Sequence, residues 1–332
     1  MILLNLMKNF LLTIGPLIEG TVVKRPSQYI KTPYVADVVP IIGDGNSVLA
    51  HSAALGCCGL ADTGAKVLME PVPDKPIKSG EKKSCAYKIY LSILKEKDSE
   101  IIVGIHPTLA ERLAEAAIEK NMLTCLQDVQ NLKKQTTINN SRFDFTGIDR
   151  NGAPFIMEVK NVPLADYEDD PVMRNKKRKF NPYQDRAIDS KVAYFPEGYR
   201  KKKGDVVSPR ALKHIQELTT IKRMNPETRC LSCFVIQRSD VNRFQISFGD
   251  PAYRMAVKEA IEAGVEVIPL VVRWTKEGEA IFIRDDLPIT SFDEPSVEDR
   301  VTVVDNLEPP PVDANTMQKT TPSRKRKNKS NE

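Results

Sequence analysis

The chain has 332 residues, of which 41% are hydrophobic and 28% charged, and it carries a formal net charge of +5. These values fit a soluble folded chain long enough for two domains and a tail. Six cysteines over that length exclude a disulfide-stapled scaffold and point to a reducing, intracellular setting.

The opening segment, MILLNLMKNFLLTIG, is apolar but interrupted by Lys8 and asparagines, and it falls short of the ~20 residues that a membrane span needs. It lacks a basic run before the apolar stretch and an A-x-A-like cleavage site, so a docked or frayed terminus is expected, with no membrane partner. From Leu17 to Leu94 the segments LIEGTVVK, YVADVVPI, SVLAHS, AKVLMEPV and AYKIYLSIL alternate with Gly, Pro and Asp. Such closely spaced short strands predict a small β-barrel domain over 13–98, with an OB-like barrel among the candidates.

The texture changes after Asp98. IIVGIH reads as a buried strand and PTLAERLAEAAIEKN as a helix with Pro107 near its start. Its stripe of Leu109, Leu113, Ala116 and Ala117 leaves Glu111 and Glu115 one turn apart beside it. A hairpin follows (Arg142–Leu164), then a polar, basic insertion from about Tyr167 to Lys191. SPRALKHIQELTTIKR and PAYRMAVKEAIEAG read as helices, LSCFVIQ and VEVIPLVVRW as strands. Helices alternating with apolar strands predict an α/β domain over 99–290. Cys230 and Cys233 form a C-x-x-C, but they open an apolar run instead of starting a helix, and no second pair is spaced for zinc. Buried reduced thiols are expected. From Ser291 the sequence turns acidic, then proline-rich, then basic, which predicts a disordered tail over 291–332.

Lys and Arg crowd into RNKKRK (Arg174–Lys179), YRKKK (Tyr199–Lys203) and SRKRKNK (Ser323–Lys329). Clusters of this kind suit a polyanionic partner, and the last has the composition of a nuclear-import or nucleic-acid-contact segment.

The hairpin carries the chemistry. RFDFTGID and PFIMEVK alternate with period two around Asp-Arg-Asn-Gly, a turn signal because Asn and Gly tolerate positive φ. Phe155, Met157 and Val159 point one way, and Ile156, Glu158 and Lys160 the other. Asp144 lies on the partner strand, where suitable register brings it beside Glu158. Two facing carboxylates repel unless a cation lies between them, and oxygen ligands of this type suit Mg²⁺ or Mn²⁺. A neighbouring lysine can orient or deprotonate water and neutralise developing phosphate charge. The competing reading is a solvent-exposed hairpin with an ordinary cross-strand ion pair.

FDFTGID…FIMEVKNVPLA resembles the hairpin of the sugar fermentation stimulation protein family. The likeness continues in GPLIEGTVVKR, GIHPTLAERLAEAAI, YFPEG, RALKHIQEL, FVIQRSDVNRF and AGVEVIPL, and spans roughly Gly15 to Leu287. It implies an N-terminal OB-like barrel followed by a PD-(D/E)XK nuclease-like domain. It makes Asp144 and Glu158 the metal-binding acids and Lys160 the catalytic lysine. Glu115, with Glu111 in reserve, would be the further acid on the first helix. Arg210, Lys213 and His214 match a basic helix and, with Arg238 at a strand end after Gln237, would contact phosphates. The chain departs from the family at HSAALG (His51–Gly56), where Ala54 and Leu55 replace polar positions. Two functions then compete: a DNA-binding protein with a metal-dependent endonuclease-type phosphodiesterase site, and a regulatory DNA-binding protein that keeps the fold without the reaction. An RNA-associated factor is a more remote third class. DNA is favoured over RNA.

Overall fold

Alternating apolar residues and turn-forming breaks place the barrel strands where the sequence predicts them. They are β2 (Ile18–Lys24), β3 (Val35–Pro40), β4 (Val48–His51), β5 (Lys66–Pro71) and β6 (Tyr87–Glu96). The structure, a computed structural model, describes residues 9–53, 59–73, 84–167, 185–196 and 205–292. The three basic clusters, the predicted tail beyond Phe292 and Ala54–Leu55 therefore lie outside the described residues. Hydrogen bonds run in the order β4-β3-β2-β5-β6, and a parallel pairing of β4 with β6 closes the ring. This is the five-stranded, partly open barrel of the OB type. Val22, Val38, Val67, Met69 and Ile89 fill its interior. Among the described residues no helix is long and apolar enough to cross a membrane.

Two strands depart from the sequence-drawn boundary. IIVGIH, assigned to the second domain, forms β7 (Ser99–Gly104), which pairs with β6 from Glu96↔Ser99 to Leu91↔Gly104. Conversely, β1 (Phe10–Thr13) docks on the far sheet against β16 (Glu279–Arg284), so the start of the described chain belongs with the second domain. Boundaries drawn from texture miss such exchanges because strand pairing is non-local.

The second domain is a seven-stranded sheet in the order β1-β16-β15-β13-β10-β9-β8. The remaining members are β8 (Gln130–Ile138), β9 (Ser141–Ile148), β10 (Pro154–Val162), β13 (Arg229–Ile236) and β15 (Glu266–Trp274). β10, β13 and β15 run parallel. A small sheet of β11 (Ala165–Asp166), β12 (Lys191–Phe195) and β14 (Val241–Ile246) lies apart from it.

Helices cover both faces, as parallel strands require. On one face α1 (Thr108–Glu119) packs Leu109, Leu113 and Ala117 against Phe145, Phe155, Met157 and Leu231, together with Leu68, Leu91 and Ile93 of the barrel. On the other, α2 (Pro209–Met224) and α3 (Pro251–Glu262) cover Ile156, Cys230, Phe234 and Ile236. Ser-Pro and Asp-Pro start these two helices: Ser208 Oγ accepts from Ala211 N–H at 3.3 Å, and Asp250 accepts from Tyr253 N–H at 3.1 Å. The proline at the first helical position has no N–H to leave unsatisfied. Cys230 and Cys233 are free and buried in opposite clusters, since an offset of three along a strand changes face. Burial pushes both thiols up.

The Asp149–Gly152 turn differs from the expected Asn-Gly turn. Only Gly152 takes positive φ (+81°), while Asp149 carboxylate accepts from Asn151 N–H (2.8 Å) and Ala153 N–H (3.0 Å). The aspartate satisfies the loop amides, giving a type I turn with a glycine bulge.

Gln237, fully buried after β13, joins barrel to sheet. Its carbonyl accepts from Gly104 N–H (3.0 Å), its Oε1 from Trp274 Nε1 (3.1 Å), and its Nε2 contacts Asn161 Oδ1. A Cβ on Gly104 would lie 1.9 Å from Gln237 Oε1. Gly104→Ala is therefore expected to lower stability by about 1–3 kcal/mol or more, which urea unfolding measures.

Candidate active site at the split between β9 and β10

The β9–β10 ladder runs from Pro154↔Ile148 to Met157↔Phe145 and stops. One residue further, Asp144 replaces the backbone with its side chain: Oδ2 accepts from Val159 N–H at 2.7 Å. The strands part at this point, and Glu158 lies across the gap. Both acids are nearly inaccessible, with Asp144 5% and Glu158 3% exposed. The face carrying Ile156, Glu158 and Lys160 is thus covered by α2, which excludes the solvent-exposed hairpin.

Glu158 is held asymmetrically. Its Oε1 contacts both Lys160 Nζ and His214 Nδ1, while Oε2 is buried with no hydrogen-bond partner. Burial alone would raise this carboxyl, but the hydrogen bonds and charges of His214 and Lys160 outweigh it and hold Glu158 below its usual value. Asp144 moves the opposite way. Burial first, then the facing Glu158 charge, push it up to about 6, against the Val159 hydrogen bond. The positive charge is gathered on the Glu158 side, and Lys160 lowers Asp144 only as the smallest of its causes.

Sequence reasoning missed Gln135. It lies on the edge strand β8 with φ +54°, and its Nε2 donates to Glu111 Oε2 (2.8 Å) and to Asp144 Oδ1 (3.1 Å). Glu111 is therefore the α1 acid joined to Asp144. Glu115 is turned away, in an ion pair with Lys134 at 2.8 Å.

The four expected phosphate contacts separate. Arg210 and Lys213 are exposed on α2, with Lys213 Nζ donating to Asn140 carbonyl at 2.6 Å. His214 is buried against Glu158 and faces Phe143, so it is not placed to contact phosphate. Arg238 is 3% exposed and bound through two nitrogens to Asp240, each at 2.6 Å. Its fork is already occupied. The signal for His214 was in the helix pattern: Ala211, Ile215 and Leu218 put position 214 on the buried stripe. The signal for Arg238 was Asp240 two residues on.

An OB-type barrel followed by a sheet that splits at an Asp…Glu-x-Lys set defines a PD-(D/E)XK nuclease-like architecture of mixed α and β structure. A family model described as "Sugar fermentation stimulation protein RE domain" matches residues 108–176 and 187–278. The "Sugar fermentation stimulation protein homolog" of Shouchella clausii is 26% identical over 276 residues, covering 82% of this chain and 97% of that protein. The protein of that name from Maricaulis maris is 29% identical over 255 residues, covering 76% and 88%. The chain belongs to the sugar fermentation stimulation protein family. A solved structure, Pyrococcus furiosus SfsA in complex with Ca²⁺, shares the fold at TM-score 0.61 and 22% identity, covering 85% of this chain and 99% of that one.

Proposed function

We propose that the chain binds nucleic acid, DNA in preference to RNA, and hydrolyses phosphodiester bonds with a divalent ion, Mg²⁺ or Mn²⁺, held by Asp144 and Glu158. The observation that carries this reading is the buried, unpartnered Oε2 of Glu158 facing an Asp144 whose ionisation is opposed by its surroundings. Among the described residues no three His, Cys, Asp or Glu side chains converge as a ready-made cage. The two acids of the split are the oxygen donors that a hard ion takes from a protein while it keeps several waters. The relative from Pyrococcus furiosus, described with Ca²⁺, agrees with an oxygen-ligand site. The ion would supply Lewis-acid stabilisation of phosphate charge. Lys160, 12% exposed at its side chain, would orient the attacking water, and His214 would fix Glu158 from the α2 side.

The non-catalytic alternative also has an observation in its favour. Lys160 and His214 both contact Glu158 Oε1 without any ion, so this carboxylate has protein partners of its own. The deciding experiment incubates the protein with duplex, circular and single-stranded DNA and with RNA, with Mg²⁺, Mn²⁺ or chelator. Metal-dependent cleavage supports the enzyme, and binding with no cleavage under any condition supports the alternative.

Two expectations accompany this reading. Log affinity for duplex DNA should fall linearly with log salt, at a slope near −0.9 per phosphate neutralised, and a flat response in anisotropy titrations would contradict it. On α1, Glu111→Gln should weaken Mg²⁺ binding measured by calorimetry, because it disturbs the Gln135 bridge to Asp144. Glu115→Gln should leave that affinity unchanged and shift stability by no more than about 1 kcal/mol, as exposed pairs do.

A further inference from the structure

We propose that the end of the barrel next to α1 is a base-stacking site for unpaired DNA, which passes a single-stranded segment toward the Asp144–Glu158 split. This rests on the nucleic-acid reading above and names the form of the substrate. Tyr34, just before β3, is 40% exposed, and its ring lies at 13° to that of His51 on β4 with centroids 6.4 Å apart. A second pair follows on the route to α1: Tyr90 of β6 stacks on His106 at 4.7 Å and 25°. His106 is fixed from below by Thr108, whose Oγ1 lies 2.8 Å from its Nδ1.

The two pairs are neighbours. His51 faces Lys88 in the β4–β6 register, Lys88 and Arg112 both act on His106, and Glu70, opposite Lys88 across β5–β6, accepts from the Tyr90 hydroxyl. Burial is the larger cause for both imidazoles: it lowers His51 and brings His106 down to about 4. At neutral pH both imidazoles are uncharged; the open ring surface is that of exposed Tyr34 and half-buried His51, while His106, 9% exposed, backs Tyr90 from within. The cations beside them are Lys88 and Arg112, both exposed, and neither is in an ion pair among the described residues. Arg112 adjoins Glu111, which reaches Asp144 through Gln135. An exposed ring pair with Lys88 and Arg112 at its edge, leading to the acid pair, is the arrangement that holds single strands, in which stacking is sequence-tolerant and backbone contacts are electrostatic. A duplex hides its base faces and cannot use the rings.

The test uses the full chain and three labelled ligands: a single-stranded oligonucleotide, its duplex, and a strand of the same length carrying abasic sugars. Wild type should bind the base-bearing strand at least about tenfold tighter than the abasic strand. Tyr34→Ala combined with His51→Ala should weaken single-strand binding about tenfold, leave duplex binding within about twofold, and leave the salt slope unchanged because no charge is removed. Tyr34→Phe and His51→Phe keep the rings and should keep the single-strand affinity. Equal wild-type affinity for abasic and base-bearing strands overturns the stacking site without needing any variant. So does an equal loss on strand and duplex. If wild type binds neither strand nor duplex, the nucleic-acid reading itself fails, and the stacking site with it.

Discussion

Asp144→Asn and Glu158→Gln are expected to abolish metal-dependent cleavage, by at least about 10²–10³-fold, while preserving or strengthening nucleic-acid binding. Removing a buried negative charge near the phosphate path lowers repulsion of the backbone. Lys160→Ala should also remove cleavage, but it deletes a cation and should weaken binding slightly. The sign pattern separates an enzyme from a binding module, because a structural ion pair predicts no opposition between the two readouts. Asp144→Asn has a second signature. Its carboxyl is pushed up to about 6 by burial and by Glu158, so holding it ionised at neutral pH costs folding free energy. The amide still accepts from Val159 N–H but sets its NH2 against the Gln135 Nε2 donor, so metal-free stability should rise by less than the ~1–3 kcal/mol that removing the charge alone would give. Mg²⁺ should raise the thermal midpoint of wild type and not that of Asp144→Asn. An aspartate that costs stability where it stands is the usual mark of a group kept for function. No cleavage of any substrate by wild type, with unchanged binding in all three variants, would leave the nuclease reading unsupported.

Legibility in the sequence followed local periodicity. The three helices and the strands β2 to β6 could be read because each hides one face, and that alone repeats every 3.6 or 2 residues. The same alternation put Glu158 and Lys160 on one face and opposed Asp144 to them. What could not be read depends on contacts between distant segments. Gln135 lies on an edge strand whose side chains are mostly exposed, in a left-handed conformation that no pattern announces. β7 looked like the first strand of a new domain because its texture matches the sheet that follows, and only its pairing with β6 reveals otherwise. His214 and Arg238 looked like phosphate ligands because they are basic, but burial assigns them internal partners.

Arg238 leads to the second large effect, in the buried charges between the small sheet and the barrel. Asp240 accepts from Arg238 through both oxygens and from Lys191 Nζ at 2.7 Å. Lys191 also donates to Glu96 at 2.6 Å, and Glu96 accepts from the Tyr167 hydroxyl at 2.7 Å. Asp240→Asn would leave Arg238 and Lys191, 3% and 5% exposed at their side chains, with one carboxylate between them. A buried cation left without its partner costs about 3–5 kcal/mol, so urea unfolding should show a loss of that order. The pH dependence has a definite sign. Burial would raise Asp240, but the hydrogen bonds and charges of Arg238 and Lys191 outweigh it and hold it below its ordinary value; Glu96 is also lowered, burial being outweighed by Lys191 and Tyr167. The unfolded state therefore binds more protons in acid. Stability from these groups is complete above the ordinary carboxylate value near 4 and is lost as pH falls through the lower folded values. Asp240→Asn should flatten that acid arm of the stability curve. The same variant tests whether Arg238 meets phosphate. If Asp240→Asn folds as stably as wild type and binds DNA more tightly, with a salt slope steeper by about one phosphate, the guanidinium was available to the backbone after all, and its pairing with Asp240 is not what holds the two sheets together.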